Sequence, residues 1–255
     1  EAKVYSYALT PEEINREYNS GGSIKPGGLN IGSRYQTFGA TGNEEGLAGY
    51  WKFDETTAWG STVGAVKDSS GLNNNGTSTN ATTTTDQVKY GRSAGFDGNA
   101  DYIDIGDGGT SGFFSFTDSN NFTFSYWVYL RTLSAQTVPL SRGTYESDGW
   151  YSNFETNGII RFITNTSGNS TTISSPASTI STGAWYYIAG VKNGSASRIY
   201  VNGNIVVEGN LSNAAAADDA LHIGSYPTTS LSVNGYLDDV KIFNRALTEN
   251  EVTRE

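Results

Sequence analysis

The sequence predicts an all-β fold, a two-sheet antiparallel sandwich of jelly-roll type, and three observations carry the prediction. Short runs rich in Val, Ile, Thr, Tyr, Phe and Trp recur at regular spacing from Leu47 to Phe243. The dipeptides Asn157-Gly158, Asn193-Gly194 and Asn202-Gly203 separate several of them and supply the positive φ that tight hairpins require. No stretch between them has the apolar period of a helix. About a dozen strands with hairpin connections have one compact solution, two packed sheets.

At the N-terminus, Ala2–Tyr7 alternates as a half-buried strand does, with Ala2, Val4 and Ser6 on one face. Thr10-Pro11-Glu12-Glu13 offers an N-cap, a proline at the first helical position and a glutamate three residues after the cap. A short helix is expected to end at Gly21-Gly22. Residues 23–45 read as a Gly/Ser-rich connector, although Leu29-Asn30-Ile31-Gly32-Ser33 echoes Leu221-His222-Ile223-Gly224-Ser225. The strand pattern starts at Leu47–Phe53 and passes a loop rich in Asn and Gly around residues 68–76 and a weakly specified Thr-rich stretch, 77–85. It continues with Ser93–Phe96, Tyr102–Ile105, Phe122–Leu130, Thr137–Arg142, Trp150–Thr156 and Ile159–Thr164. Trp185–Lys192, Ser197–Val201, Ile205–Gly209, Leu221–Ile223 and Gly235–Phe243 complete it, before a helix from Thr248 to Glu255.

The last strand and helix occur twice. Asp239–Glu255 lies on Glu1–Glu17 without a gap, with seven identities in seventeen positions, Lys241 on Lys3 and Ala246-Leu247-Thr248 on Ala8-Leu9-Thr10 among them. Self-similarity at one fixed offset marks an array of units. Residues 1–22 are therefore expected to be the end of a preceding repeat, 23–45 a connector and 46–255 one complete domain. A strand cut from its own sandwich exposes unpaired backbone groups, so residues 2–7 are expected to pair with the intact domain or with a neighbouring molecule.

Composition excludes several functions. The chain has 16 Lys and Arg against 26 Asp and Glu, a net charge of −10, which argues against a nucleic-acid partner. It has no cysteine, hence no disulfide framework and no thiol nucleophile, and its single histidine, His222, cannot build a triad or a histidine zinc site. No apolar run is long enough to span a bilayer, so no membrane insertion is expected. The absence of any methionine, even at position 1, reads as a segment of a longer polypeptide, with any export signal elsewhere.

Sugar recognition needs exposed aromatic faces beside groups that bond hydroxyls. The loop Arg142–Tyr151 holds Tyr145, Glu146, Asp148, Trp150 and Tyr151, and Trp59 sits in another Gly-containing loop; these six are the ligand-binding candidates. The alternative for Trp150 and Tyr151 is that they begin a strand and cover a sheet edge. Trp51, Trp127 and Trp185 lie inside strands and are expected in the core.

Gly46–Glu55, Asp68-Ser69-Ser70-Gly71, Phe96-Asp97-Gly98 with Asp101-Tyr102-Ile103, Phe122–Val128, Trp185–Ala189, Ile199–Gly203 and Asp238–Leu247, in that order, resemble the laminin G-like jelly roll of the concanavalin A-like superfamily, in its tandem-repeat bacterial surface or secreted form. The resemblance implies a non-catalytic recognition module for a glycan or a cell-surface protein ligand, serving adhesion in a large exported or cell-surface protein. A purely structural spacer repeat is the alternative. A glycoside hydrolase is the third reading, but in the superfamily's Glu-x-Asp-x-x-Glu strand pattern the position of the second Glu is Tyr151 here, leaving half of the carboxylate pair. The resemblance also implies a structural calcium where the first and last strands meet. Asp54, Asp68 and Asp239 are the expected ligands, with Asp97 and Asp101 in reserve.

Overall fold

The computed structural model describes residues 45–106, 114–116, 121–226 and 231–254. The expected strand Ala2–Tyr7, the helix after it and all but the end of the connector lie outside the described residues. In chain order the strands are β1 (Leu47–Trp51), β2 (Thr77–Thr79), β3 (Thr82–Thr84), β4 (Ser93–Asp97), β5 (Tyr102–Asp104), β6 (Phe122–Leu130), β7 (Thr137–Arg142) and β8 (Trp150–Phe154). They continue with β9 (Ile160–Thr166), β10 (Asn169–Ser174), β11 (Trp185–Asn193), β12 (Ala196–Val201), β13 (Asn204–Asn210), β14 (His222–Ile223) and β15 (Asn234–Phe243), and end in the helix α1 (Glu249–Arg254).

The strands form two antiparallel sheets, as the sequence predicts. One has the order β13-β12-β11-β6-β15-β4-β3, with β1 also paired to β15; the other has the order β10-β9-β8-β7-β14-β5-β2. β15 is the centre of the first. It pairs with β6 along one edge, while on the other β4 takes residues 234–237 and β1 takes residues 240–243. The exchange of partners falls at a bulge where Asp239 adopts a φ of 47°. A short polar residue tolerates that left-handed conformation better than a branched one.

Strand alternation builds the core. In β6, Phe122, Phe124, Tyr126, Val128 and Leu130 point between the sheets and meet Trp150, Phe154 and Phe162 from the facing sheet. Phe124 stacks on Trp150 with centroids 5.6 Å apart and meets Phe162 edge-on at 4.9 Å. Burial of such rings supplies the largest apolar contribution to folding. Tyr126 is also buried; its hydroxyl lies 2.8 Å from Ser152 Oγ on the opposite sheet, and burial pushes its phenol pKa up.

A smaller layer lies outside the first sheet, where Leu247 and Val252 pack on Tyr187, Ala189, Val191, Tyr200 and Phe243. Thr248 and Glu251 cap α1 reciprocally. Glu251 Oε2 accepts the Thr248 N–H at 2.7 Å and Thr248 Oγ1 accepts the Glu251 N–H at 3.3 Å.

Candidate ligand-binding face

The Arg142–Tyr151 loop does not present its aromatics as expected. Trp150 is fully buried, 0% exposed, and its Nε1–H donates to the Phe114 carbonyl. Gly149, at φ +73°, aims it inward; a Cβ there would lie 1.9 Å from the Arg142 carbonyl oxygen. Trp59 is buried too, edge-on to Phe53 at 5.8 Å, with its Nε1–H on Glu55 Oε2. Tyr151 is buried with Val138, Ile163 and Tyr226 on the outer side of the second sheet, where burial raises the phenol pKa of both tyrosines. Of the four aromatic candidates only Tyr145 is exposed, at 52%. Glu146 is exposed and takes a φ of 57° in the turn between β7 and β8. Asp148 Oδ1 is occupied by the Thr144 N–H at 2.8 Å. These carboxylates sit on a turn, where the glycosidase pattern places its acids along a strand.

The three expected calcium ligands are spent on separate tasks. Asp68 Oδ1 accepts the N–H groups of Tyr50 and Ser70 at 3.0 and 2.8 Å, and Oδ2 accepts the Ser70 hydroxyl and the Asn74 N–H at 2.7 and 2.9 Å. Four donors fill the lone pairs of one carboxylate. Asp54 Oδ1 accepts the Arg92 N–H, and Asp239 Oδ1 accepts the Tyr50 hydroxyl at 2.6 Å. Of the reserve pair, Asp101 is buried and accepts the Asp97 N–H. Among the described residues no three His, Asp or Glu side chains converge as a metal-binding group. The expected set does not fit calcium, because Asp68 has no lone pair left to give.

The open aromatic surface lies instead on the outside of the first sheet. The alternation that sends Phe124, Tyr126 and Val128 inward turns Trp127 and Tyr129 outward, and β11 does the same with Trp185 and Tyr187. Trp185 pairs directly with Tyr129, and Tyr129 with Tyr236 of β15. The three rings form a row across the strands, with centroids 5.8 and 6.0 Å apart, and all are half-buried. Trp127 and Trp185, expected in the core, are thus surface residues of this face.

One step along β6, a loop closes over Trp127. Lys89 Nζ stands 3.8 Å from the Trp127 ring centroid, and the exposed Tyr90 meets the same ring edge-on at 6.3 Å. Asp238, fully buried, holds this loop through Oδ2, which accepts the N–H groups of Lys89 and Tyr90 at 3.1 and 2.9 Å. Burial, with the Asp239 charge adding to it against the backbone N–H bonds, pushes the Asp238 pKa up to about 7. At the other end, the Arg131 guanidinium lies 4.8 Å from the Tyr236 ring centroid.

Two antiparallel sheets in this strand order define a jelly-roll sandwich. The sequence model of the laminin G-like group of the concanavalin A-like lectin/glucanases superfamily matches residues 97–253, and the chain belongs to that family. No curated protein matches the sequence. Among solved structures, the binding domain of Paraclostridial mosquitocidal protein 1 superposes with a TM-score of 0.65 at 16% identity, over 82% of this chain and 51% of that one. Domain 4 of AbnA, a GH43 extracellular arabinanase from Geobacillus stearothermophilus solved with arabinotriose, gives 0.61 at 20% identity, over 83% and 98%. The botulinum neurotoxin serotype G binding domain gives 0.61 at 17%, over 82% and 50%. The chain spans about half the length of these toxin binding domains. At such identities the likeness is one of fold.

Proposed function

We propose that residues 46–255 form a non-catalytic recognition module of a multidomain exported or cell-surface protein, and that the module binds a glycan on the row Trp185, Tyr129 and Tyr236. The observation that carries the reading is the row itself. Three registered aromatic residues stay half-exposed side by side, and exposed aromatic rings are the groups on which the apolar faces of sugar rings stack. AbnA domain 4, the relative of similar length, was solved with an oligosaccharide, which supports the reading. The copy of residues 239–255 in residues 1–17 supports placement of the module in a series of repeats.

The test is a glycan-array screen of the chain, followed by calorimetric titration of the best binders against the wild type, Tyr129→Ala and Trp185→Ala. Loss of one stacking ring weakens binding by about tenfold, with the unfolding midpoint measured alongside to show that each variant is folded. Binding that survives both substitutions and is lost in Tyr145→Ala would move the site to the β7–β8 turn. A screen without binders would leave the spacer reading.

A further inference from the structure

We propose that this face selects an acidic glycan, one whose carboxylate or sulfate groups are met by Lys89 and Arg131 at its two ends. The inference rests on the reading of the aromatic row as a glycan site and names the chemical class of its ligand.

Acidic residues outnumber basic ones 26 to 16, so a cation on this chain has carboxylates in excess to pair with. Arg161, Arg198 and Arg245 do so, with Glu155, Glu208 and Glu251 at 2.6 to 2.7 Å. Lys89 and Arg131, like Lys52, Lys67 and Arg92, have no such ion pair among the described residues, and what sets the two apart is their place on the aromatic face. Each lies against an aromatic ring of the same face, Trp127 and Tyr236. Aromatic faces attract a cation while leaving its outward N–H donors for a ligand.

The nearby acids are turned away. Asp238 lies under the loop and gives Oδ2 to backbone N–H groups of Lys89 and Tyr90 and Oδ1 to that of Asp239. Asp239 accepts the Tyr50 hydroxyl and has Lys241 and Lys52 within electrostatic reach. Asp101 lies within reach of Arg131 but gives Oδ2 to the Asp97 N–H, while Arg131 itself donates to the Phe96 carbonyl. Trp127 and Tyr129 are outward positions of β6 and Arg131 follows the strand's last residue, so Trp127, under Lys89, and Arg131 are separated by about 13 Å along the chain. A short oligosaccharide laid on Tyr129 would reach both.

The experiment measures the dissociation constants of oligogalacturonate, its fully methyl-esterified form, sulfated dextran, plain dextran and oligothymidylate for the wild-type chain. Two outward-facing ion pairs predict that oligogalacturonate binds about tenfold tighter than its ester at an ionic strength of about 0.02 M, with the advantage shrinking at about 0.3 M. Sulfated dextran against dextran shows whether sulfate serves as well as carboxylate. The double variant Lys89→Gln/Arg131→Gln is expected to bring oligogalacturonate to the level of the ester, whereas Lys67→Gln, at an exposed cation that donates to the Gly64 carbonyl and not to this face, should keep the preference. Equal affinity for acid and ester overturns the inference and leaves the glycan reading standing. Absence of binding to every saccharide overturns both, and tighter binding of oligothymidylate than of any acidic glycan replaces the inference with a nucleic-acid ligand.

Discussion

Replacing Asp68 by alanine strips an acceptor from four donors at once: the N–H groups of Tyr50, Ser70 and Asn74 and the Ser70 hydroxyl. These bonds tie the first strand to the Asn/Gly loop that also holds Trp51, whose Nε1–H donates to the Asn74 carbonyl. At a net value of about 1 kcal/mol each, because water reaches part of the site, the loss comes to about 4 kcal/mol. For a domain of this size that lowers the midpoint by roughly 8–16 °C. Asp68→Asn keeps one acceptor oxygen and is expected to lose about half as much. The assay is urea and thermal unfolding of the wild type and both variants, each in calcium and in excess chelator. The expected result is a large loss in Asp68→Ala that is the same with and without the metal. A wild-type midpoint that rises with calcium, and a rise that disappears in both variants, would refute the reasoning and restore Asp68 as a ligand.

Three further outcomes are expected. The folded pKa of Asp238, about 7, lies above the unfolded value near 3.9, so the native state keeps a proton that the unfolded chain has released. Stability therefore falls as pH rises from about 4 to about 7, by about 4 kcal/mol from this group; Asp238→Asn flattens that part of a urea-unfolding pH series, and an unchanged slope would count against the burial argument. Gly190 faces Phe124 across β11 and β6, and a Cβ there would stand 2.2 Å from Phe124 Cζ. Gly190→Ala should cost about 1–3 kcal/mol and disturb the near-ultraviolet dichroism of the stacked Trp150, whereas a silent substitution would mean that the core can give way. Thr248→Ala removes the acceptor for the Glu251 N–H and should cost about 1 kcal/mol, read as a small midpoint shift with the native near-ultraviolet spectrum retained.

The long strands were legible because their side chains obey the two-residue period. Phe122–Leu130 and Thr137–Arg142 are strands over those same residues. Three strands, the short β2 and β3 and the six-residue β10, were not legible. Each is built almost wholly of Thr and Ser or has a single buried apolar residue, so their pairing is imposed by neighbours. The tryptophans reverse the sequence expectation. Trp59 and Trp150, in polar loops, are core; Trp127 and Trp185, flanked by apolar residues, line the solvent face. Apolar neighbours are a poor guide inside a strand, because adjacent residues point to opposite faces. The usable signal was phase: Thr123 and Ser125 mark the outward side of β6, and Trp127 and Tyr129 continue it. The two cations on the aromatic rings had no such signal, since Lys89 reaches Trp127 only through a loop held from a strand 149 residues away.

The placement of β15 has a consequence for how the protein is made. The last strand of the domain is the one to which β1, β4 and β6 all attach, so until it emerges from the ribosome the first sheet is three unjoined pieces, β13-β12-β11-β6, β4-β3 and β1, with open edges. Folding cannot be completed in step with translation. The nascent domain must wait, sticky and incomplete, for its final residues, and a chain released before Phe243 would be a substrate for chaperones and proteases.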